Sequence, residues 1–140
     1  MPRIGHRLIP ALLSCVAPLA FAAALPAAPP LPDVVSFNRH VRPIMSDTCF
    51  HCHGFDAKAR KAGMRLDVRE EALKPTKNDV VPIVPGKPDE SEIILRIMDS
   101  GDPMPPEEAH KTLTPHQKAL LRRWVEQGAG YESHWAYAPL

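Results

Sequence analysis

Apolar residues recur along the chain in three stretches whose spacing matches the turn of an α-helix. Phe37, Val41, Ile44, Met45 and Cys49 fall at steps of four, three and four, and predict a helix over 34–48 that ends at Cys49. Asp33 and Ser36 are its candidate caps, and Pro43, which lacks a backbone N–H, predicts a kink. Ile93, Ile94, Ile97 and Met98 form a stripe over 89–99, where Asp89 and Glu92 read as a capping box and Met98 reads as core. Leu120, Leu121, Trp124 and Val125 give the inner face of a last helix. Thr114 caps it, Pro115 takes its first position, Gln117 completes the box and Gly128 stops it. A shorter helical run over 68–73 sets Leu66 and Leu73 inward. No stretch alternates as a strand: Val80-Val81 and Ile83-Val84 are short and lie among Pro75, Pro82, Pro85 and Pro88. The pattern predicts an all-α domain with ordered, proline-fixed loops, and no internal repeat.

The first 24 residues belong to something else. Arg3 and Arg7 precede an uncharged, Ala-rich run from Leu8 to Ala24, with small residues at Ala20, Ala22 and Ala24. That is the layout of a secretory signal peptide, and it implies an exported protein of the periplasm or cell envelope. As a membrane anchor the run is at the lower limit of length and is broken by Pro10 and Pro18. Leu12-Leu13-Ser14-Cys15 loosely resembles a lipidation signal, so membrane association is expected only through an uncleaved leader or a lipid. Residues 25–32 are Pro/Ala-rich and read as an extended tether. The domain proper then spans 33–130.

Charge and cysteine count narrow the partners. The 140-residue chain has 17 Lys and Arg against 16 Asp and Glu, and loss of Arg3 and Arg7 leaves the remainder near neutral. A near-neutral chain lacks the basic face that nucleic acid requires, so none is expected as a partner. Cys15 leaves with the leader, and Cys49 and Cys52 cannot build a long-range disulfide framework.

Those two cysteines stand in Cys49-Phe50-His51-Cys52-His53, a C-x-x-C-H motif of covalent haem attachment. Two thiols on one turn can each bond a vinyl group of one porphyrin, and His53 then offers an imidazole to the iron. C-x-x-C also serves zinc and redox dithiols. A closed zinc site wants a second, distant ligand pair, which the chain does not offer, and a thiol oxidoreductase wants a strand feeding the motif, where a helix is predicted. Gly54 is expected to end the motif in a left-handed turn. Lys58, Arg60 and Lys61 make the next loop either a solvated segment or a basic rim that guides a redox partner. Arg65 is either a partner for a haem propionate or a plain surface residue.

A second iron ligand is sought off the helices. Met104 sits among Pro103, Pro105 and Pro106, in a loop stiffened by fixed backbone angles, where core packing does not account for a methionine. Histidine opposite methionine is the axial pair that raises a haem's potential. Met64, His110 and His116 are the other candidates. With both axial positions filled, the iron has no site for substrate, so the reading is electron transfer and not an enzyme. The alternative is a haem domain whose methionine leaves the iron, as a peroxidase or sensor needs.

Taken together the segments resemble a class I cytochrome c domain, and more narrowly the planctomycete-type cytochrome c domain. The resemblance runs through Phe37-Asn38, Arg42-Pro43-Ile44, Cys49 to Gly54, Gly63-Met64-Arg65-Leu66-Asp67, Val84-Pro85-Gly86, Glu90-Ser91-Glu92, Met104-Pro105-Pro106, Trp124-Val125 and Gly128-Ala129. It implies one covalently bound haem c wrapped by a small helical fold, with thioethers at Cys49 and Cys52 and axial ligands at His53 and Met104. It also implies first and last helices that cross beside the haem, and redox proteins as partners. The tail 131–140, with His134-Trp135-Ala136-Tyr137, resembles the junction to a following domain, so a free-standing or shortened relative of larger exported proteins is expected.

Overall fold

A computed structural model of the chain describes residues 28–133. The leader over 1–24, the Cys15 lipidation signal, the start of the tether and the tail from His134 lie outside the described residues. Among the described residues there is no strand, and the class is all-α. The order is a π-helical turn at Phe37–Val41, α1 at Arg42–Thr48, α2 at Arg69–Ala72, a 3-10 turn at Pro88–Glu90, α3 at Glu92–Met98, a second 3-10 turn at Glu107–Ala109, and α4 at Pro115–Glu126. No helix among the described residues is long and apolar enough to cross a membrane.

The first helical stretch shows how proline is accommodated. Ser36 caps it, its hydroxyl accepting from the Arg39 amide. The Arg42 amide donates five residues back, to the Phe37 carbonyl, so the backbone widens into a π turn just before Pro43. Pro43 then lies in the first turn of α1, where an absent N–H costs least. The kink read from the sequence takes this form.

α4 packs on that π turn and on α3, and its Thr114–Gln117 capping box is present in both directions. Between these elements lies an aromatic cluster. The Phe37 ring is 5.5 Å from Trp124 and 4.4 Å from Tyr131, and Trp124 meets Tyr131 edge-on at 5.2 Å. Both polar ends are satisfied: Trp124 Nε1 donates to the Gly130 carbonyl at 2.9 Å, and the Tyr131 hydroxyl to the Leu66 carbonyl at 2.9 Å. Tyr131 thus packs with the fold, and through Leu66 it reaches the segment that follows the C-x-x-C-H turn.

α3 begins differently from its sequence pattern. Its N-cap is Ser91, not Asp89, and no side chain caps it. Asp89 forks instead to the Arg122 guanidinium on α4, at 2.9 and 3.1 Å. Ser91 is fully buried, and its hydroxyl accepts from the Val84 amide at 2.9 Å and donates to the Lys87 carbonyl at 2.8 Å, pinning the proline-rich loop to α3. Met98 is also a correction: it is half exposed, because the face of α3 that packs inward carries Ile93, Ile94 and Ile97.

The two ends of the domain are sewn together by side chains. The Gln127 amide donates to the Asp33 carbonyl at 2.6 Å and its oxygen accepts from the Val35 amide at 2.8 Å. The Glu132 carboxylate accepts from the Phe37 amide at 2.8 Å, the Ser36 hydroxyl at 3.1 Å and the Asn38 amide at 3.3 Å. Partial burial raises the Glu132 pKa, but these donors outweigh it and hold the carboxyl below its ordinary value. Asp67 is held low chiefly by its bidentate bond to Arg65. Both folded pKa values lie below the unfolded ones, so their stabilisation is full above the ordinary carboxyl range near pH 4 and is lost as pH falls through the depressed values. Denaturant midpoints measured from pH 7 to pH 3 should therefore fall below about pH 4, and Glu132→Gln should flatten that fall.

Candidate functional site

α1 delivers the motif. Its last turn passes into a tight coil in which the Cys49 and Phe50 amides both donate to the Met45 carbonyl at 2.8 Å, and the Cys52 and His53 amides both donate to the Cys49 carbonyl, at 3.1 and 2.8 Å. This coil sets Cys49, Cys52 and His53 on one wall of a cavity of about 300 Å³. Gly54 is needed here for a different reason from the one its sequence position suggested. Its φ is not positive; instead a Cβ at this position would stand 2.2 Å from the Phe50 carbonyl oxygen. The exit from the motif passes too close to its own backbone for any side chain. Gly54→Ala should cost ~1–3 kcal/mol through overpacking, read as a lower denaturant midpoint, together with poorer haem attachment. Arg60 braces the same exit, donating from Nε to the Gly54 carbonyl and from Nη2 to the Phe55 carbonyl, both at 2.9 Å. It is thus committed to backbone, and the basic loop keeps Lys58 and Lys61 as its exposed cations.

The segment after the motif folds back beneath it. The Lys61 amide donates to the Cys52 carbonyl and the Leu66 amide to the His53 carbonyl, each at 2.8 Å. Met64 lies between these two ties and lines the cavity on the motif's own side of the chain. Met104 arrives from elsewhere. Its amide donates to the Arg96 carbonyl at 3.0 Å, which hangs the proline-rich loop from α3. Ile93 and Ile97 of α3, with Met104, Pro105, Pro106 and Ala109, complete the apolar walls. The structure thus gathers Cys49, Cys52, His53 and Met104 around one cavity, and of the other candidates it adds Met64. His110 and His116 are not among the lining residues.

The state of the donors follows from burial. Burial pushes the Cys49 thiol pKa up, against the lowering effect of the Thr48 hydroxyl 3.3 Å away. Both thiols are free. A dithiol redox centre requires the reverse, a nucleophilic thiolate with a depressed pKa. Burial lowers the His53 pKa, so the ring is the neutral imidazole that a metal ligand must be. The Lys61 backbone lies near enough to oppose that shift, yet no hydrogen bond of sound geometry reaches the buried Nδ1. Among the described residues no group of three or more His, Cys, Asp or Glu side chains is arranged to hold a metal ion by itself.

These residues fit haem. Two thiols one turn apart, a neutral imidazole beside them, a thioether from another segment and apolar walls between are the donors and surroundings that a ligated porphyrin requires. Sequence reasoning did not find Thr76, Asn78, Glu92 and Arg96, which give the cavity its polar edge. Glu92 is marked only as part of a capping box and the other three by no motif, because the four meet only when α3 closes on the loop before it.

An all-helical fold that turns a C-x-x-C-H coil onto an apolar cavity has the donors that a small haem-binding domain needs. The family model Planctomycete cytochrome C matches residues 49–108, from the first motif cysteine to just past the Met104 loop. The match supports a planctomycete-type cytochrome c domain over those residues. No curated protein and no solved structure matches it significantly.

Proposed function

We propose that this protein is a monohaem c-type cytochrome that carries single electrons in the cell envelope. Cys49 and Cys52 would hold the haem through thioether bonds, and His53 and Met104 would supply the two ligands to its iron. The observation that carries the reading is the convergence of these four side chains on one apolar cavity from two separate parts of the chain. Haem supplies a one-electron couple when bound. The chain's own residues fix its position and environment. The hydrogen-bonded coil at Cys49–His53 holds both sulfurs and the imidazole in register. The α3 isoleucines and the prolines beside Met104 line the cavity with apolar surface that would exclude water from a bound haem, which together with a thioether ligand would favour the reduced state.

Met104 is preferred over Met64 because of where each chain segment is tied. Met64 sits between Lys61 and Leu66, whose amides donate to the Cys52 and His53 carbonyls, whereas Met104 is suspended from α3. An axial pair needs ligands on opposite faces, and a residue from a separate wall supplies the second. Redox proteins are the partners; membrane association would come only through the leader or a lipid on Cys15, and nucleic acid is not a partner. Addition of carbon monoxide to the reduced protein tests the function. An unchanged spectrum is the expected result. Rapid formation of a carbon monoxide complex would instead favour a displaceable methionine and a peroxidase or sensor role.

A further inference from the structure

Among the described residues that line the cavity, Arg96 is the one Lys or Arg, and its surroundings leave it incompletely partnered. Its Nη2 lies 2.7 Å from the Asp102 carboxylate, which is itself 72% exposed. Its Nε is shut off from solvent and has no hydrogen-bond acceptor. A buried donor without a partner is costly, and natural folds rarely keep one without a reason. Glu92, one helical turn earlier, lines the same cavity, but the two side chains form no ion pair. Arg65, which the sequence marks as a partner for propionate, is spent: its fork is closed on Asp67 at 2.8 and 2.7 Å, and it does not line the cavity.

A haem fixed at its vinyl groups by Cys49 and Cys52 still brings two carboxylates into the fold. A guanidinium suits such a group because its planar fork bonds a carboxylate through two donors at once. The same residue holds Met104. The Arg96 carbonyl accepts from the Met104 amide at 3.0 Å, and the Arg96 guanidinium holds Asp102 in the loop that leads to it. We propose that Arg96 anchors a haem propionate and, through the same contacts, is the positioning residue for Met104. Thr76 and Asn78, also on the cavity, add a hydroxyl and an amide within the same polar edge. The inference rests on the haem reading given above. Its consequence is that haem seating and methionine ligation are coupled: a cofactor whose propionate lacks its partner leaves the Met104 loop less firmly held.

The test uses the exported, matured protein and three variants. Arg96→Lys keeps the stem and the charge but loses the fork, Arg96→Gln loses the charge, and Asp102→Asn removes only the loop's exposed ion pair. Resonance Raman spectra report the propionate bending modes directly, and cyanide binding to the oxidised protein reports how readily Met104 leaves. Both Arg96 variants should shift the bending modes, and Arg96→Gln should bind cyanide about tenfold faster or more, the range seen when outer-shell partners of a metal site are lost. Asp102→Asn should leave the bending modes in place. Unchanged modes in both Arg96 variants, with haem still attached, overturn the inference and leave the haem reading standing. An equal shift in Asp102→Asn also overturns it, since the effect then belongs to the loop. A parent chain that matures without haem overturns both.

Discussion

Met104→Ala should mature with its haem covalently attached and yet behave as a different redox protein. On the proposed reading attachment depends on Cys49 and Cys52, which lie in a coil held by its own backbone hydrogen bonds and by Arg60. Met104 contributes nothing to that coil; its amide is tied to Arg96 on α3. On the proposed ligation, removing the thioether would therefore take away a ligand without dismantling the motif. Loss of the sulfur should lower the reduction potential by on the order of 0.2 V, well inside the ≈ 0.8 V span that axial ligands control. It should also open the iron to carbon monoxide in the reduced state. Redox titration and a carbon monoxide difference spectrum check both. A variant with the parent potential and no carbon monoxide complex would move the sixth ligand to another residue, and Met64, on the same cavity, is the first to examine.

Trp124→Ala should have the largest effect on stability. The side chain is 1% exposed and its ring touches both Phe37 and Tyr131, so truncation leaves a cavity where the first helical stretch, α4 and the C-terminal segment meet. Phe/Trp→Ala changes in cores cost about 3–5 kcal/mol, a large share of the roughly 5–15 kcal/mol that holds a small domain folded. The Gly130 carbonyl also loses its donor. Trp124→Phe keeps most of the ring and should lose less, chiefly the hydrogen bond. Denaturant unfolding at constant slope measures both. A cost under about 1 kcal/mol for the alanine variant would mean that the site collapses around the gap. The consequence extends to the haem side, since Tyr131 in this cluster bonds the Leu66 carbonyl and Leu66 lines the cavity.

The sequence made local features legible and left most of the closing contacts hidden. The Thr114–Gln117 capping box is written within one turn, and the structure contains it as written. The stripe of Phe37, Val41, Ile44 and Met45 is equally local, and all four side chains are buried. The C-x-x-C-H spacing is diagnostic because its chemistry acts within a single turn of chain. Failures occur where a distant partner decides. Asp89 has the spacing of a cap, but Arg122 from α4 draws its carboxylate away. Met98 follows the helical period, yet α3 buries only the side that carries Ile93, Ile94 and Ile97. Gly54 has the sequence position of a left-handed stop, whereas a contact with Phe50 four residues earlier explains it. Arg96 carries no signal at all, because the role proposed for it rests on burial of one nitrogen and on a cavity assembled from five segments. The clasp formed by Gln127 and Glu132 depends in the same way on closure of the chain ends.

Covalent haem at Cys49 and Cys52 is the claim on which the rest depends, and one measurement addresses it directly. The protein is expressed with its leader in a host that matures c-type cytochromes, reduced, and its absorption spectrum recorded. It is then extracted with acid acetone and converted to the pyridine haemochrome. A sharp α band that stays with the polypeptide after extraction is the predicted result. Colour that passes entirely into the solvent, or a colourless protein from a competent host, would contradict covalent attachment and leave Cys49 and Cys52 as two free thiols still to be explained.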